Sequence, residues 1–241
     1  ILLHGLFGAG DTLGGVSRRL APDYEVHSLD LRNHGNSPHT RSMSYPEMAA
    51  DVLAYMDWAG LEQAYLLGHS MGGKTAMELA LMAPERVQRL IVADIAPVAY
   101  EPHHDAIQDA LEALDPASVK SRRDADGVLS EYIEEKGVRQ FLLTNLVPSN
   151  GGFRWRMNVP GILACYEQIM AGPSTEGVYE GPTLFIRGGD SDYIQSSHQD
   201  AVLHYFPSAG LKVIPDVGHW PHAEKPELFG RICQRFLAGE A

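Results

Sequence analysis

The chain has 241 residues, 44% hydrophobic and 21% charged, enough for one large domain with a substantial buried core and unlike a disordered composition. Its 31 acidic against 19 basic side chains leave a formal charge of −12, which argues against binding nucleic-acid phosphates or anionic membrane surfaces. No apolar run approaches the roughly 20 residues that cross a bilayer, and two distant cysteines, Cys165 and Cys233, make neither a metal spacing nor a disulfide framework, which points to a reducing, cytoplasmic setting.

The sequence starts without Met on a strand-like apolar run, residues 1–3, and so reads as truncated, leaving a removed leader open. That run leads into His4-Gly5-Leu6-Phe7-Gly8, a loop rich in backbone donors. A second strand-like run, 25–29, precedes Asp30-Leu31-Arg32-Asn33-His34-Gly35-Asn36-Ser37, and a helical pattern covers 44–59. The apolar run 64–67 then delivers Gly68-His69-Ser70-Met71-Gly72-Gly73, which fits Gly-x-Ser-x-Gly and opens a helix over 73–83. A serine hydroxyl is a poor nucleophile unless it is exposed beside a base, and a sharp strand-to-helix turn supplies that position.

A strand over 90–93 leads to Asp94-Ile95-Ala96-Pro97-Val98. From 98 to 178 the strand signal disappears, and amphipathic helical stretches at 104–114, 125–135, 138–146 and 161–170 replace it, separated by Pro116, Gly137, Pro148 and Pro160. This segment is expected to be an all-helical cap inserted into a core built from 1–97 and 179–241. Strands at 182–187 and 211–214 and a helix at 226–237 complete the chain, with Val217-Gly218-His219-Trp220 after the last strand. Alternating strands and helices imply a mostly parallel sheet flanked by helices, an α/β class whose sites form at the carboxyl ends of strands.

Three strand ends thus present a donor loop, a serine and a histidine in the order that serine hydrolases of this architecture use. Ser70 is the candidate nucleophile and His219 the candidate base. The orienting acid is ambiguous, because the loop 188–193 offers Asp190 and Asp192 while Asp94 follows another strand. His219 and His222 lack a convincing third metal ligand, so no metal site is expected.

The segments His4 to Gly8, Asp30 to Ser37, Gly68 to Lys74, Asp94 to Val98 and Gly218-His219-Trp220-Pro221-His222-Ala223-Glu224-Lys225-Pro226 resemble the α/β-hydrolase superfamily. More narrowly, they resemble the YbfF-type esterases and their mitochondrial abhydrolase relatives. The resemblance implies an α/β-hydrolase fold with a cap, further strands before residue 1, and cofactor-free hydrolysis of small carboxylic esters of short acyl chains, with thioesters as a further option. It favours Asp94 as the acid, with Asp192 and then Asp190 behind it. It also implies an oxyanion hole from the backbone N–H groups of Leu6 and Met71. Phe7, Phe141, Leu142, Trp155, Tyr166 and Trp220 are candidates for the acyl pocket. A carbon–carbon bond hydrolase or lyase, and a non-catalytic binding protein of the same fold, are the competing readings, and the oligomeric state is left open.

Overall fold

The computed structural model describes residues 1–149 and 151–240. In chain order the elements are β1 (Leu2–Leu3), α1 (Gly14–Leu20), β2 (Ser28–Leu29), α2 (Tyr45–Trp58), β3 (Ala64–His69), α3 (Met71–Met82) and β4 (Val87–Ala93). The segment between β4 and the next core strand carries α4 (Asp105–Ala113), α5 (Arg122–Leu129), α6 (Lys136–Leu143), β5 (Leu146–Ser149), β6 (Gly152–Trp155), α7 (Val159–Ala164) and α8 (Tyr166–Met170). The core then resumes with β7 (Thr183–Gly188), α9 (Gln199–Tyr205), β8 (Ala209–Ile214), α10 (Pro221–Glu224) and α11 (Pro226–Leu237).

Six strands form one sheet in the order β2-β1-β3-β4-β7-β8, and every neighbouring pair is parallel. Side chains alternate across a strand, so consecutive residues feed different cores. Leu66, Leu90 and Val92 pack with Met48 and Val52 of α2 and with Met77 and Ala80 of α3. Leu67, Ile91 and Ala93 pack on the other face, with Val16 and Leu20 of α1 and Phe229 and Cys233 of α11. The central strands therefore bury apolar residues on both faces over Leu66–Leu67 and Leu90–Ala93, as expected of a parallel sheet covered on both sides.

The expectation that residues 98–178 hold no strand is corrected by β5 and β6, an antiparallel pair in which Leu146 faces Trp155. Only four residues long each, and containing Pro148 and Gly152, these strands carry little strand signal of their own. The helical stretch expected at 161–170 is broken at Cys165 into α7 and α8. Of the strand expected at 25–29 only Ser28 and Leu29 pair.

Close approach of β1, β3 and α3 fixes the turn at the sheet centre. A Cβ at Gly68 would lie 2.1 Å from the Gly72 carbonyl oxygen, and one at Gly72 would lie 2.3 Å from the Leu3 carbonyl oxygen. Both contacts are backbone and cannot relax by a rotamer change. Gly72→Ala is therefore expected to lower unfolding stability by at least ~2 kcal/mol in urea titrations. Gly127→Ala in α5, where a Cβ meets nothing within 4 Å, should instead stabilise by up to about 1 kcal/mol. Equal effects of the two substitutions would contradict this account.

Candidate active site

Ser70 stands alone between β3 and α3, with φ 52° and ψ −119°. This left-handed geometry costs of order 1–3 kcal/mol for a non-glycine residue and persists only where neighbours enforce it. Here the Ser70 N–H donates to the Ala93 carbonyl at 3.0 Å, and the Gly68–Gly72 contact closes the turn. Phe7 and Asp94, at two other strand ends, also have positive φ.

The Ser70 hydroxyl lies 3.1 Å from His219 Nε2, and the other ring nitrogen, His219 Nδ1, lies 2.8 Å from Asp94 Oδ2. With Nδ1–H donating to the carboxylate, Nε2 is left to accept the serine proton. Asp94 is fully buried and takes two further donors: the Gly188 N–H reaches Oδ1 at 2.9 Å, and the Ser191 hydroxyl donates to Oδ2. A buried carboxylate without such partners would be costly. Asp190 and Asp192 are both exposed, and it is Ser191 between them that turns inward. No local pattern in the sequence singles out Ser191.

The loop bearing His219 is clamped from two sides. His69 Nε2–H donates to the His219 carbonyl at 2.7 Å, while the Glu224 carboxylate accepts the N–H groups of Gly218 and Trp220. Burial pushes the His69 pKa well down, and that of His222 down to about 4, so both rings next to His219 are neutral. Among the described residues no group of three or more His, Cys, Asp or Glu is arranged to hold a metal, and no helix is long and apolar enough to cross a membrane.

Leu6 and Met71 line the same cavity as Ser70. Met71 is the first residue of α3, so its N–H has no partner within the helix. The loop holding Leu6 is fixed by two buried histidines. His4 Nδ1–H donates to the Gly5 carbonyl while Nε2 accepts the Leu31 N–H; His34 Nδ1–H donates to the Arg32 carbonyl while Nε2 accepts the Phe7 N–H. Each ring must accept as well as donate and therefore must stay neutral; burial lowers the pKa of His4 and pushes that of His34 down to about 3. From the segment after α6, Asn145 Nδ2 donates to the Phe7 carbonyl at 2.7 Å.

Of the expected pocket residues, Phe7, Phe141, Leu142 and Trp220 line the cavity. Trp155 and Tyr166 do not, and that expectation is corrected. The β5–β6 pairing carries Trp155 to a separate hollow beside Leu111, Val159 and Leu163. Tyr166 sits behind His104, its hydroxyl 2.7 Å from His104 Nδ1. Four residues that were not among the expected pocket residues contribute instead. Tyr193 stacks on the His219 ring at 3.9 Å and 23°, and its hydroxyl lies 2.6 Å from His103 Nε2. Tyr45, Lys74 and Tyr100 form one wall.

Residues 1–226 match the family described as alpha/beta hydrolase fold. The chain is 42% identical over 246 residues to the sn-1-specific diacylglycerol lipase ABHD11 of Mus musculus, covering 99% of this chain and 80% of that protein. It is 40% identical over 238 residues to esterase YbfF of Escherichia coli strain K12, covering 98% and 92% of the two. Among solved structures it is similar to a marine microorganism esterase, with a TM-score of 0.95 and 38% identity over 98% of this chain and 93% of that one. With this match along nearly its whole length, and with a parallel sheet that delivers a serine, an aspartate and a histidine from the ends of β3, β4 and β8, the chain belongs to the α/β-hydrolase fold family.

Proposed function

We propose that the protein is a carboxylesterase that cleaves short acyl esters through an acyl-enzyme on Ser70. One observation carries this reading: the continuous hydrogen-bonded chain from Asp94 through His219 to Ser70, ending at a cavity shared with the Leu6 and Met71 backbone. The names of the esterase and lipase relatives support cleavage of an ester bond.

In this mechanism Ser70 Oγ attacks the acyl carbonyl as His219 Nε2 takes its proton, and the carbonyl electrons move onto oxygen. The oxyanion receives the N–H groups of Leu6 and Met71, and a donor in such a position is worth about 3–4 kcal/mol. Asp94 holds the imidazolium, and the Tyr193 ring, stacked on it, favours the positive charge. Collapse restores the carbonyl and expels the alcohol, protonated by His219. Water, deprotonated by the same imidazole, then attacks the acyl-enzyme and releases the acid and free Ser70.

The cavity volume supports the preference for short acyl chains. The cavity holds about 70 Å³, less than half of a cavity of about 150 Å³ that accommodates benzene. Short acyl groups fit it without rearrangement, and residues 98–178 supply Phe141 and Leu142 to its wall. Thioesters present the same carbonyl to the same groups, and a graded panel of acyl esters and acyl thioesters ranks the two.

Ser70→Ala and His219→Ala are each expected to lose roughly 10⁴-fold or more in ester turnover with the fold intact, because such groups act as a unit. Residual turnover above about a hundredth of the parent in a folded variant, where losses near 10⁴ are the rule, would assign that residue's role elsewhere.

The acid is tested separately. Asp94→Asn keeps the shape but removes the charge that holds the imidazole tautomer, for an expected loss of up to ~10⁴-fold in kcat. Asp190→Asn and Asp192→Asn should remain near the parent value, since both carboxylates face solvent. A crippled Asp192→Asn beside a near-normal Asp94→Asn would reverse the assignment.

A further inference from the structure

Lys74 lies one helical turn beyond Ser70 on α3, and it is 3% exposed while lining the same cavity. Its ammonium donates to the carbonyls of Met170 at 3.2 Å and Ala171 at 2.5 Å, at the end of α8. Two aromatic rings flank it, Tyr45 with its centroid at 5.5 Å and Tyr100 at 4.6 Å. Among the described residues no carboxylate pairs with it. Glu78, the next acid along the same helix face, accepts the Ser174 N–H and the Thr175 hydroxyl instead. Asp94 is taken by Gly188, Ser191 and His219.

Among the described residues Lys74 is also the sole aspartate, glutamate, lysine or arginine lining the cavity; the rest of the wall is apolar, aromatic, hydroxyl-bearing or imidazole. An ammonium has three N–H donors, and two carbonyls satisfy two. A neutral amine would be fully served by those two carbonyls, whereas the charged form has a donor to spare beside the substrate space. Burying a cation without an anion is costly, and a substrate anion would remove that cost only while it is bound.

We infer that Lys74 is a specificity-determining residue that receives a carboxylate borne by the substrate, so that esters carrying a free carboxylate a few atoms from the scissile carbonyl are preferred over neutral ones. This rests on the esterase reading above. Half esters of short dicarboxylic acids carry that group on the acyl side, and acyl esters of hydroxy acids carry it on the alcohol side. Desolvation pushes the Lys74 pKa down to about 7, which gives the preference a pH signature. The titratable side chains around Lys74 are Tyr45 and Tyr100, whose rings flank it and whose hydroxyls are shifted upward by burial, and Glu78 one turn further along its own helix. The cavity's other titratable groups are Tyr193 and the imidazoles of His69, His103, His104 and His219. A ratio of kcat/KM values for two substrates measured on the same enzyme cancels whatever acts on both alike.

The test measures kcat/KM from pH 5.5 to 8.5 for three matched esters: a monoethyl dicarboxylate, an acyl ester of a hydroxy acid, and a neutral ethyl ester of equal length. The expected result is at least a tenfold advantage for one carboxylate-bearing ester over the neutral one at low pH, shrinking as pH rises through about 7. Whichever ester shows it identifies the side on which the carboxylate enters. Lys74→Arg, charged throughout this range, should make the ratio independent of pH, and Lys74→Met should abolish it. A pH-invariant ratio in the parent protein, a neutral ester preferred at every pH, or an advantage that survives Lys74→Met would each overturn the inference. The parent profile decides the matter even if neither variant folds. Turnover of the neutral ester without any preference sinks the Lys74 role alone, whereas no turnover of any of the three sinks the esterase reading with it.

Discussion

A carboxylate without exposure to water draws three strand ends into one site. Asp94 follows β4, and its oxygens collect the Gly188 N–H at the end of β7, the Ser191 hydroxyl from the following loop and the imidazole of His219 after β8. Its own N–H donates to the Ile186 carbonyl, so the backbone as well as the side chain crosses from β4 to β7. Because a buried anion tolerates no missing partner, each of these loops is held in one arrangement. The direction of the His219 ring, and with it the line from Nε2 to Ser70, follows from that constraint.

The other half of the site depends on neutrality rather than charge. His4 and His34 each accept one backbone N–H and donate to one carbonyl, and only the uncharged ring can do both. They hold the Gly5–Gly8 turn, whose Phe7 has φ 61°, against the loop after β2. Residues of the segment between β4 and β7 then reach both halves. Asn145 donates to the Phe7 carbonyl beside the candidate oxyanion donors, and His103 binds the hydroxyl of Tyr193, which stacks on the candidate base. The segment is thus linked to the reacting groups by directed polar contacts as well as by the apolar wall it contributes, so its placement and the site's geometry are coupled.

Much of this arrangement was legible in the sequence because it depends on local rules. Gly68 and Gly72 around Ser70 announce a turn that no larger residue can make, and the apolar runs at 64–67 and 90–93 announce strands buried on both faces. The identity of the residue beside His219 Nδ1 was not local: composition offered Asp190 and Asp192 as readily as Asp94, and only a resemblance ranked them. What separates them physically is which side chain faces inward, and in the 188–193 loop that is Ser191. The β5–β6 hairpin escaped notice because Pro148 and Gly152 dilute a very short pattern. Tyr193 carries no motif, and its position against His219 arises from packing between segments far apart in sequence; Lys74 ends the Gly68–Lys74 segment, but its carbonyl and aromatic partners come from α2 and from the segment between β4 and β7.

The proposed chemistry requires Ser70 to be a nucleophile activated through His219. Intact-protein mass spectrometry after incubation with a fluorophosphonate, followed by peptide mapping, tests it without choosing a substrate. One stoichiometric adduct is expected on the peptide containing Ser70, formed rapidly in the parent protein and lost in His219→Ala. A protein that stays unlabelled, or one labelled at another residue, would contradict it.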